Sequence, residues 1–105
     1  MKIRSVYRAG FCYIKYMHKD ESLIQAELAD AAKKVKVGGL YSHYKDSSKL
    51  YKVLNLAVME NNGDLCVVYE AQYGPKLVFV RPLNSWLENV DWEGEQKDRF
   101  SLSED

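Results

Sequence analysis

The chain has 105 residues, which is enough for one domain with a modest core and too few for two independent domains. Hydrophobic residues make up 47% and charged residues 29%, with 15 basic and 15 acidic side chains, so the composition excludes a disordered chain and a strongly basic nucleic-acid-binding domain. The charge is uneven: residues 1–52 have eleven Lys and Arg against five Asp and Glu, whereas residues 84–105 have two against seven. The two ends could therefore attract each other, or the basic end could face an anionic partner.

Residues 3–17 are rich in Ile, Val, Phe and Tyr, and their alternation indicates a possible strand. Met17 is a possible internal start, which would make the preceding residues an extension. No apolar stretch is long enough for a signal peptide or a membrane span. We therefore expect a cytoplasmic protein that does not enter a membrane and keeps its thiols reduced.

Four side chains of the types that bind zinc are scattered along the chain: Cys12, His18, His43 and Cys66. They lack the close Cys-x-x-Cys or His-x-x-x-His spacing of a zinc site. The sequence therefore predicts no metal and no cofactor.

From Asp20 the pattern becomes helical, and the apolar residues recur at spacings of four, three and four: Ile24, Leu28, Ala31 and Val35. This pattern predicts a helix over residues 21–36, capped by Asp20 or Ser22 and ended by Gly38 and Gly39. The lysines near its end favour the negative end of the helix dipole. Because the apolar stripe is narrow and rich in Ala, the helix should lie against a sheet or a partner.

After Gly39, aromatic and polar side chains alternate with the two-residue period of a strand. A first strand over residues 40–45 would place Tyr41, His43 and Lys45 on one face. A polar turn is predicted at residues 46–49, followed by a second strand over residues 50–59. The apolar positions change face near Val53, which predicts a bulge there.

Asn62 and Gly63 form the strongest hairpin signal, because both tolerate the positive φ of a type I′ turn. A third strand should then run over residues 65–73, and a fourth over residues 77–81, which Pro82 ends. Residues 83–87 fit a single helical turn. A closing hairpin is predicted between residues 89–92 and 99–102 around Glu93 and Gly94, and three side chains would plug the end of a barrel: Trp86, Leu87 and Phe100.

From Gly39 onward the chain resembles a bacterial family known as domain of unknown function 1653. The residues that carry the resemblance are Gly39, Tyr41, His43-Tyr44-Lys45, Tyr51-Lys52-Val53-Leu54, Ala57, Val67-Val68-Tyr69, Tyr73-Gly74, Val80-Arg81-Pro82-Leu83 and Arg99-Phe100. The resemblance implies an SH3-like β-barrel and no established catalytic residue.

The sequence thus predicts a mainly β protein, a small SH3-like antiparallel barrel or roll of about five strands with an added N-terminal helix. Its domain would be residues 39–105, with residues 1–38 as an N-terminal extension. Short strand signals separated by turn residues are typical of such barrels.

Six aromatic and basic side chains are the candidate binding residues: Tyr41, His43, Lys45, Tyr51, Tyr73 and Arg81. Together they could stack on a planar ligand, accept a hydrogen bond and neutralise an anion. A purely structural interpretation stays open, because Tyr suits half-buried strands. Arg81 could equally pair with Glu70 or Asp91, and the other arginine of this region, Arg99, with Glu88 or Glu93.

These residues favour a non-catalytic binding module for nucleic acid, a peptide or another planar or anionic ligand, although the neutral charge weakens the nucleic-acid version. One alternative is a small enzyme with His43 as general acid or base and Arg81 or Lys45 as electrostatic stabiliser. Neither a carboxylate pair nor a glycine-rich phosphate loop supports catalysis. Another alternative is an adaptor that docks on a protein partner through the N-terminal helix. The oligomeric state stays open.

Overall fold

The computed structural model describes residues 20–103. The possible strand within residues 3–17 and the question of Met17 lie outside this range. The described residues form two helices and seven strands: α1 (Glu21–Lys34), β1 (Leu40–His43), β2 (Asp46–Val58), β3 (Leu65–Ala71), β4 (Val78–Pro82), α2 (Leu83–Trp86), β5 (Asn89–Trp92), β6 (Glu95–Asp98) and β7 (Phe100–Leu102). The predicted mainly β architecture with an N-terminal helix is confirmed. Neither helix of this part of the chain has the length and apolar character needed to cross a membrane.

Five strands form one antiparallel sheet in the order β4-β3-β2-β1-β7, and β5 pairs with β6 in a separate hairpin. The last strand of the large sheet therefore lies beside its first, as in a small barrel. Among residues 20–103, however, no pairing between β4 and β7 closes the sheet. The SH3-like barrel is for this reason not confirmed, and both β4 and β7 are edge strands.

Helix α1 begins as predicted at Asp20, whose carboxylate accepts a hydrogen bond of 2.9 Å from the Leu23 amide. It ends two residues before the predicted end, because Val35 is already extended. Ala31 of α1 is buried, and Val35 just after the helix is fully buried in the core, so the end of α1 packs on the sheet. Gly38 then turns the chain with a φ of +87°, and Gly39 passes so close to Leu102 that an added Cβ would lie 3.0 Å from its Cδ1.

The turn predicted at residues 46–49 is wrong. Those residues belong to β2, and the chain turns instead at Tyr44 and Lys45, where His43 pairs with Asp46. This end of β2 extends beyond the core, with residues 46–49 exposed to solvent. Polar side chains suit an exposed strand as well as they suit a turn, which is why the composition was misleading.

The predicted bulge near Val53 is confirmed by a register shift between Val53 and Asn55 in the pairing of β2 with β3. The predicted connection of these strands is also confirmed, but its type I′ turn is wrong. Only Gly63 has a positive φ there, and a wider loop is closed by hydrogen bonds that Met59 and Gly63 donate to the carbonyls of Asp64 and Met59.

The closing hairpin was predicted with the wrong partner. β5 pairs with β6 because Glu93 and Gly94, with φ values of +55° and +86°, make a two-residue turn. The strand that contains Phe100 instead pairs with β1, so that residue 43 lies opposite residue 100. This pairing carries the Phe100 ring into the core.

The centre of the core is a parallel stack of Trp86 on Phe100, with ring centres 3.8 Å apart and planes 5° apart. Tyr41 and Tyr69 pack edge-on against Trp86, at 5.2 and 5.0 Å. Trp86 and Phe100 are therefore buried as predicted, whereas Leu87 is 40% exposed and does not plug the fold.

Glu93→Asn should stabilise the protein, because Asn tolerates the left-handed conformation of residue 93 better than Glu does. We expect the free energy of unfolding to rise by about 1 kcal/mol. Chemical denaturation measures it. Glu95→Asn is the matched control: residue 95 lies in β6 without a positive φ, so this change should not stabilise, and an equal gain in both variants would contradict the explanation.

Candidate functional site

A concave pocket of about 260 Å³ opens on the core face of the large sheet. We call it the tyrosine-arginine pocket, and it is lined by His43, Tyr51, Tyr69, Tyr73, Phe79, Arg81 and Phe100. Every strand of the large sheet supplies at least one of these residues. The pocket thus depends on the curvature that brings β4 and β7 towards each other.

Aromatic rings form most of the wall. The rings of Tyr69 and Phe100 are buried, whereas those of Tyr73 and Phe79 are more than one-third exposed and stand at the open side. The ring of Tyr51 packs edge-on against those of Tyr69, Tyr73 and Phe100 at 5.5 to 6.0 Å. A flat apolar group could bury its surface between such rings.

Arg81 supplies the positive charge of the pocket. Its guanidinium lies 5.4 Å from the centre of the Phe100 ring, and Nη1 donates a hydrogen bond of 2.8 Å to Ser85 Oγ. Nε is covered and has no hydrogen-bond partner among the described residues 20–103. The ion pairs predicted with Glu70 or Asp91 are absent from residues 20–103, and the structure shows no acidic partner for Arg81 within that range. Its charge is therefore not neutralised there.

His43 is held as a neutral donor. Its Nδ1 accepts a hydrogen bond of 3.2 Å from the Lys45 amide, which assigns the proton of the neutral ring to Nε2. Partial burial and the positive charges of Arg81, Arg99 and Lys45 lower the pKa of His43 below its ordinary value of 6.5. At neutral pH, Nε2–H is therefore the group that His43 can offer to a ligand.

Tyr51 and Tyr73 join their hydroxyls in a hydrogen bond of 2.6 Å. Burial and this hydrogen bond raise the pKa of Tyr51 to about 12, so its hydroxyl keeps its proton. One hydroxyl donates to the other, and the second proton stays available for a ligand. Lys49 covers the Tyr73 ring, with Nζ 5.1 Å from the ring centre.

The polar groups of the tyrosine-arginine pocket are therefore mainly hydrogen-bond donors. None of its lining residues carries a carboxylate or an amide oxygen. The positive charges of Lys45, Arg81 and Arg99 all act on His43. Such a site is complementary to a group rich in acceptors and negative charge, bound to a flat body.

The structure brings together four of the six predicted residues: His43, Tyr51, Tyr73 and Arg81. It does not bring Tyr41 to the pocket, because that ring is only 6% exposed and its hydroxyl accepts a hydrogen bond of 2.9 Å from the Lys36 amide. Lys45 is exposed outside the lining, where Nζ lies 5.8 Å from the centre of the Tyr44 ring.

Three lining residues were missed by the sequence analysis: Tyr69, Phe79 and Phe100. Tyr69 lies within the predicted third strand, and its pairing with Val53 and Phe79 places it beside Tyr51 on the concave face. The two-residue period of a strand puts Phe79 on the same face as the candidate Arg81, and this signal could have indicated Phe79. For Phe100 the pairing of β7 with β1 decides the position, and the sequence pattern did not indicate that pairing.

A larger groove of about 440 Å³ lies between α1, the loop before β3 and α2. Its charged lining residues are Glu27, Asp30 and Asp64. Residues 20–103 contain no group of three His, Cys, Asp or Glu side chains placed to hold a metal ion. The groove therefore carries no assigned site.

The fold and the pocket define a small mainly β protein with a concave, donor-rich aromatic site. Residues 39–102 match the family model described as protein of unknown function (DUF1653), and the chain belongs to this family. The chain is also similar to a crystal structure of a member of that family from Bordetella bronchiseptica, at 32% identity and a TM-score of 0.54. That match covers 61% of this chain and 82% of the other. No curated protein matches the chain.

Tyr41→Phe should lower the free energy of unfolding by about 0.5–1.5 kcal/mol, because the Lys36 amide loses its hydrogen-bond acceptor. The measurement is thermal or chemical unfolding. Tyr44→Phe is the control, since no hydrogen bond of the Tyr44 hydroxyl is seen within residues 20–103. Equal stability of Tyr41→Phe and the parent protein would refute the role assigned to this hydroxyl.

The stability of the protein should fall as pH drops below 6.5. Since the pKa of His43 is lower in the folded state, the unfolded chain takes up the proton first, and stability is lost as pH falls from the unfolded value through the folded one. His43→Gln should flatten this part of the pH profile, as measured by denaturation at several pH values. An unchanged slope in the variant would show that another group is responsible.

Proposed function

We propose that the protein is a non-catalytic binding module that holds a flat, anionic group in the tyrosine-arginine pocket. The observation that carries this proposal is a donor-rich pocket with aromatic walls, in which Arg81 has no acidic partner among residues 20–103. An anion would satisfy the guanidinium, while its flat body displaces water from the rings.

The size of the site fits a single ring with one charged substituent, or the end of a larger ligand. A hydrogen bond to a charged group contributes about 1.5–3 kcal/mol, and stacking on an aromatic ring about 1–3 kcal/mol. After the cost of association, a few such contacts correspond to a Kd of about 1 µM to 1 mM. We therefore expect moderate affinity for a small ligand.

Nucleic acid is the second candidate, because cations stand near the pocket. Lys49 lies against Tyr73, and Lys45 and Arg99 lie against Tyr44. These cations could contact phosphates, but they also cover the rings on which bases would stack. A base presents both donors and acceptors, whereas the pocket offers mainly donors. The anionic small group is thus the better complement.

We further propose that the sheet belongs to the SH3-like class of rolls. The proximity of β7 to β1 and the bulge in β2 support this class, since both bend a sheet towards closure. A cytoplasmic location is also proposed, supported by the buried Cys66, which is a free thiol.

Benzoate should bind the pocket, whereas its neutral analogue benzamide should bind at least about tenfold more weakly, because only benzoate offers a charge to Arg81. Titration followed by NMR measures both affinities and locates the shifted residues. Arg81→Gln should reduce benzoate binding by about tenfold or more. Equal binding of the two compounds, or shifts that avoid the pocket, would refute the proposal.

Lys97→Gln provides the matched control for loss of one positive charge, because Lys97 is exposed on β6 outside the pocket. This variant should keep the parent affinity for benzoate. A single-stranded oligonucleotide, titrated at low and high salt, tests the second candidate. Tight, salt-sensitive binding that Arg81→Gln weakens, combined with no benzoate binding, would favour nucleic acid.

A further inference from the structure

Strand β4 presents an open edge next to the tyrosine-arginine pocket. It pairs with β3 on one side and with no strand of residues 20–103 on the other. The Ala71 amide donates to the Leu77 carbonyl, at 2.9 Å, in register with the β3–β4 ladder. Hydrogen-bonded pairs alternate along an antiparallel ladder. The main-chain groups of Phe79 and Arg81 therefore face β3, and those of Val78 and Val80 face the open edge.

Pro82 continues this alternation. At its position the amide proton of any other residue would point away from β3, towards the open edge, and Pro has none. Proline therefore costs the sheet no hydrogen bond there. Between Leu77 and Pro82, Val78 and Val80 are left as the residues whose donors and acceptors both face outward.

The side chains along this edge are apolar and accessible. Val78 is 53% exposed and Val80 is 59% exposed, on the face of β4 that points away from the pocket. Leu77 is 56% exposed. Unlike many natural edge strands, this segment carries no charge on its outward face, so it is open to pairing with another strand.

The same strand contributes to the pocket through its opposite face. Phe79 and Arg81 point from β4 into the pocket, and Phe100 lies on β7, the other edge of the sheet. A chain added along β4 would consequently run beside the pocket. Its end could turn inward between β4 and β7 towards Arg81.

We propose that the pocket and the β4 edge together bind the C-terminal end of an extended peptide. The peptide main chain pairs with Val78 and Val80, and its terminal carboxylate is held by Arg81, with His43 and the Tyr51–Tyr73 pair as further donors. This inference rests on the proposed function, and it names the partner of the same site.

Charge and hydrogen-bond chemistry select this partner. A peptide terminus carries one carboxylate, which suits the donor-rich pocket, and it carries alternating amide and carbonyl groups, which suit the open edge. An apolar last side chain could pack against Tyr69 and Phe79. Nucleic acid has no main-chain amides to pair with the edge, so it would use only half of this surface.

The test uses the full chain and a short peptide of alternating Thr and Val that ends in Phe with a free carboxylate. Its C-terminally amidated form is the matched probe. We expect the carboxylate form to bind at least about tenfold more tightly than the amide form. In NMR spectra of the complex, the amides of Val78 and Val80 should become protected from hydrogen exchange.

Two variants at the edge separate main-chain pairing from folding. Val80→Pro removes the outward amide without removing a bond to β3, and it should abolish peptide binding while benzoate still binds. Val80→Thr keeps the amide and should bind the peptide as the parent does. If Val80→Pro binds the peptide normally, or if the amidated peptide binds equally well, the inference is wrong.

Failure of the inference and failure of the proposed function give different results. Benzoate binding without peptide binding overturns the peptide partner and leaves the anion-binding pocket intact. Loss of benzoate binding as well as peptide binding overturns both the peptide partner and the anion-binding pocket. If Val78 and Val80 become protected with rising protein concentration and no peptide, a second copy of this chain occupies the edge, and the peptide proposal is refuted.

Discussion

The stack of Trp86 on Phe100 is the contact on which the concave shape of the molecule depends. Trp86 lies in the short helix after β4, and Phe100 begins β7, so the two rings join the opposite edges of an open sheet. No main-chain hydrogen bond of the described strands makes this connection. Side-chain packing thus does in this sheet what strand pairing does in a closed barrel.

The pocket is a consequence of that connection. Tyr69 and Phe100 share the central cluster with Trp86 and also form pocket wall. Because these rings are fixed by packing, Arg81 and His43 both line the pocket, and none of its lining residues is acidic. The cost is a positive charge on Arg81 that has no acidic partner among residues 20–103, and a His43 whose pKa is lowered. Perturbed pKa values and local costs to stability are typical of binding sites.

The two glycines after α1 connect the helix to this arrangement. Gly38 supplies a positive φ, and Gly39 allows the chain to pass against Leu102 of β7. The carbonyl and amide of Val53 bond to Gly38 and Gly39, which fixes the start of β1. The Tyr41 hydroxyl then accepts a hydrogen bond from the Lys36 amide, just after the helix. Tyr41, one of the six residues expected to bind a ligand, thus joins helix and sheet.

The sequence allowed good prediction wherever a signal was local. The cap at Asp20, the bulge near Val53 and the end of β4 at Pro82 all follow from the preferences of individual residues. The sequence was misleading where a polar composition fits both a turn and an exposed strand, as at residues 46–49. Four of the six candidate residues meet in the pocket because period-two alternation kept His43, Tyr51 and Arg81 on the same face of their strands.

The sequence by itself determined the mainly β class, the helix, most strand positions and the family resemblance from Gly39 onward. Only the tertiary structure decided that β7 pairs with β1, that Tyr41 is buried and that Phe100 lines the pocket. The physical reason is distance along the chain. Alternation tells which side chains share a face of one strand, but which strands become neighbours depends on packing between residues as far apart as Tyr41 and Phe100.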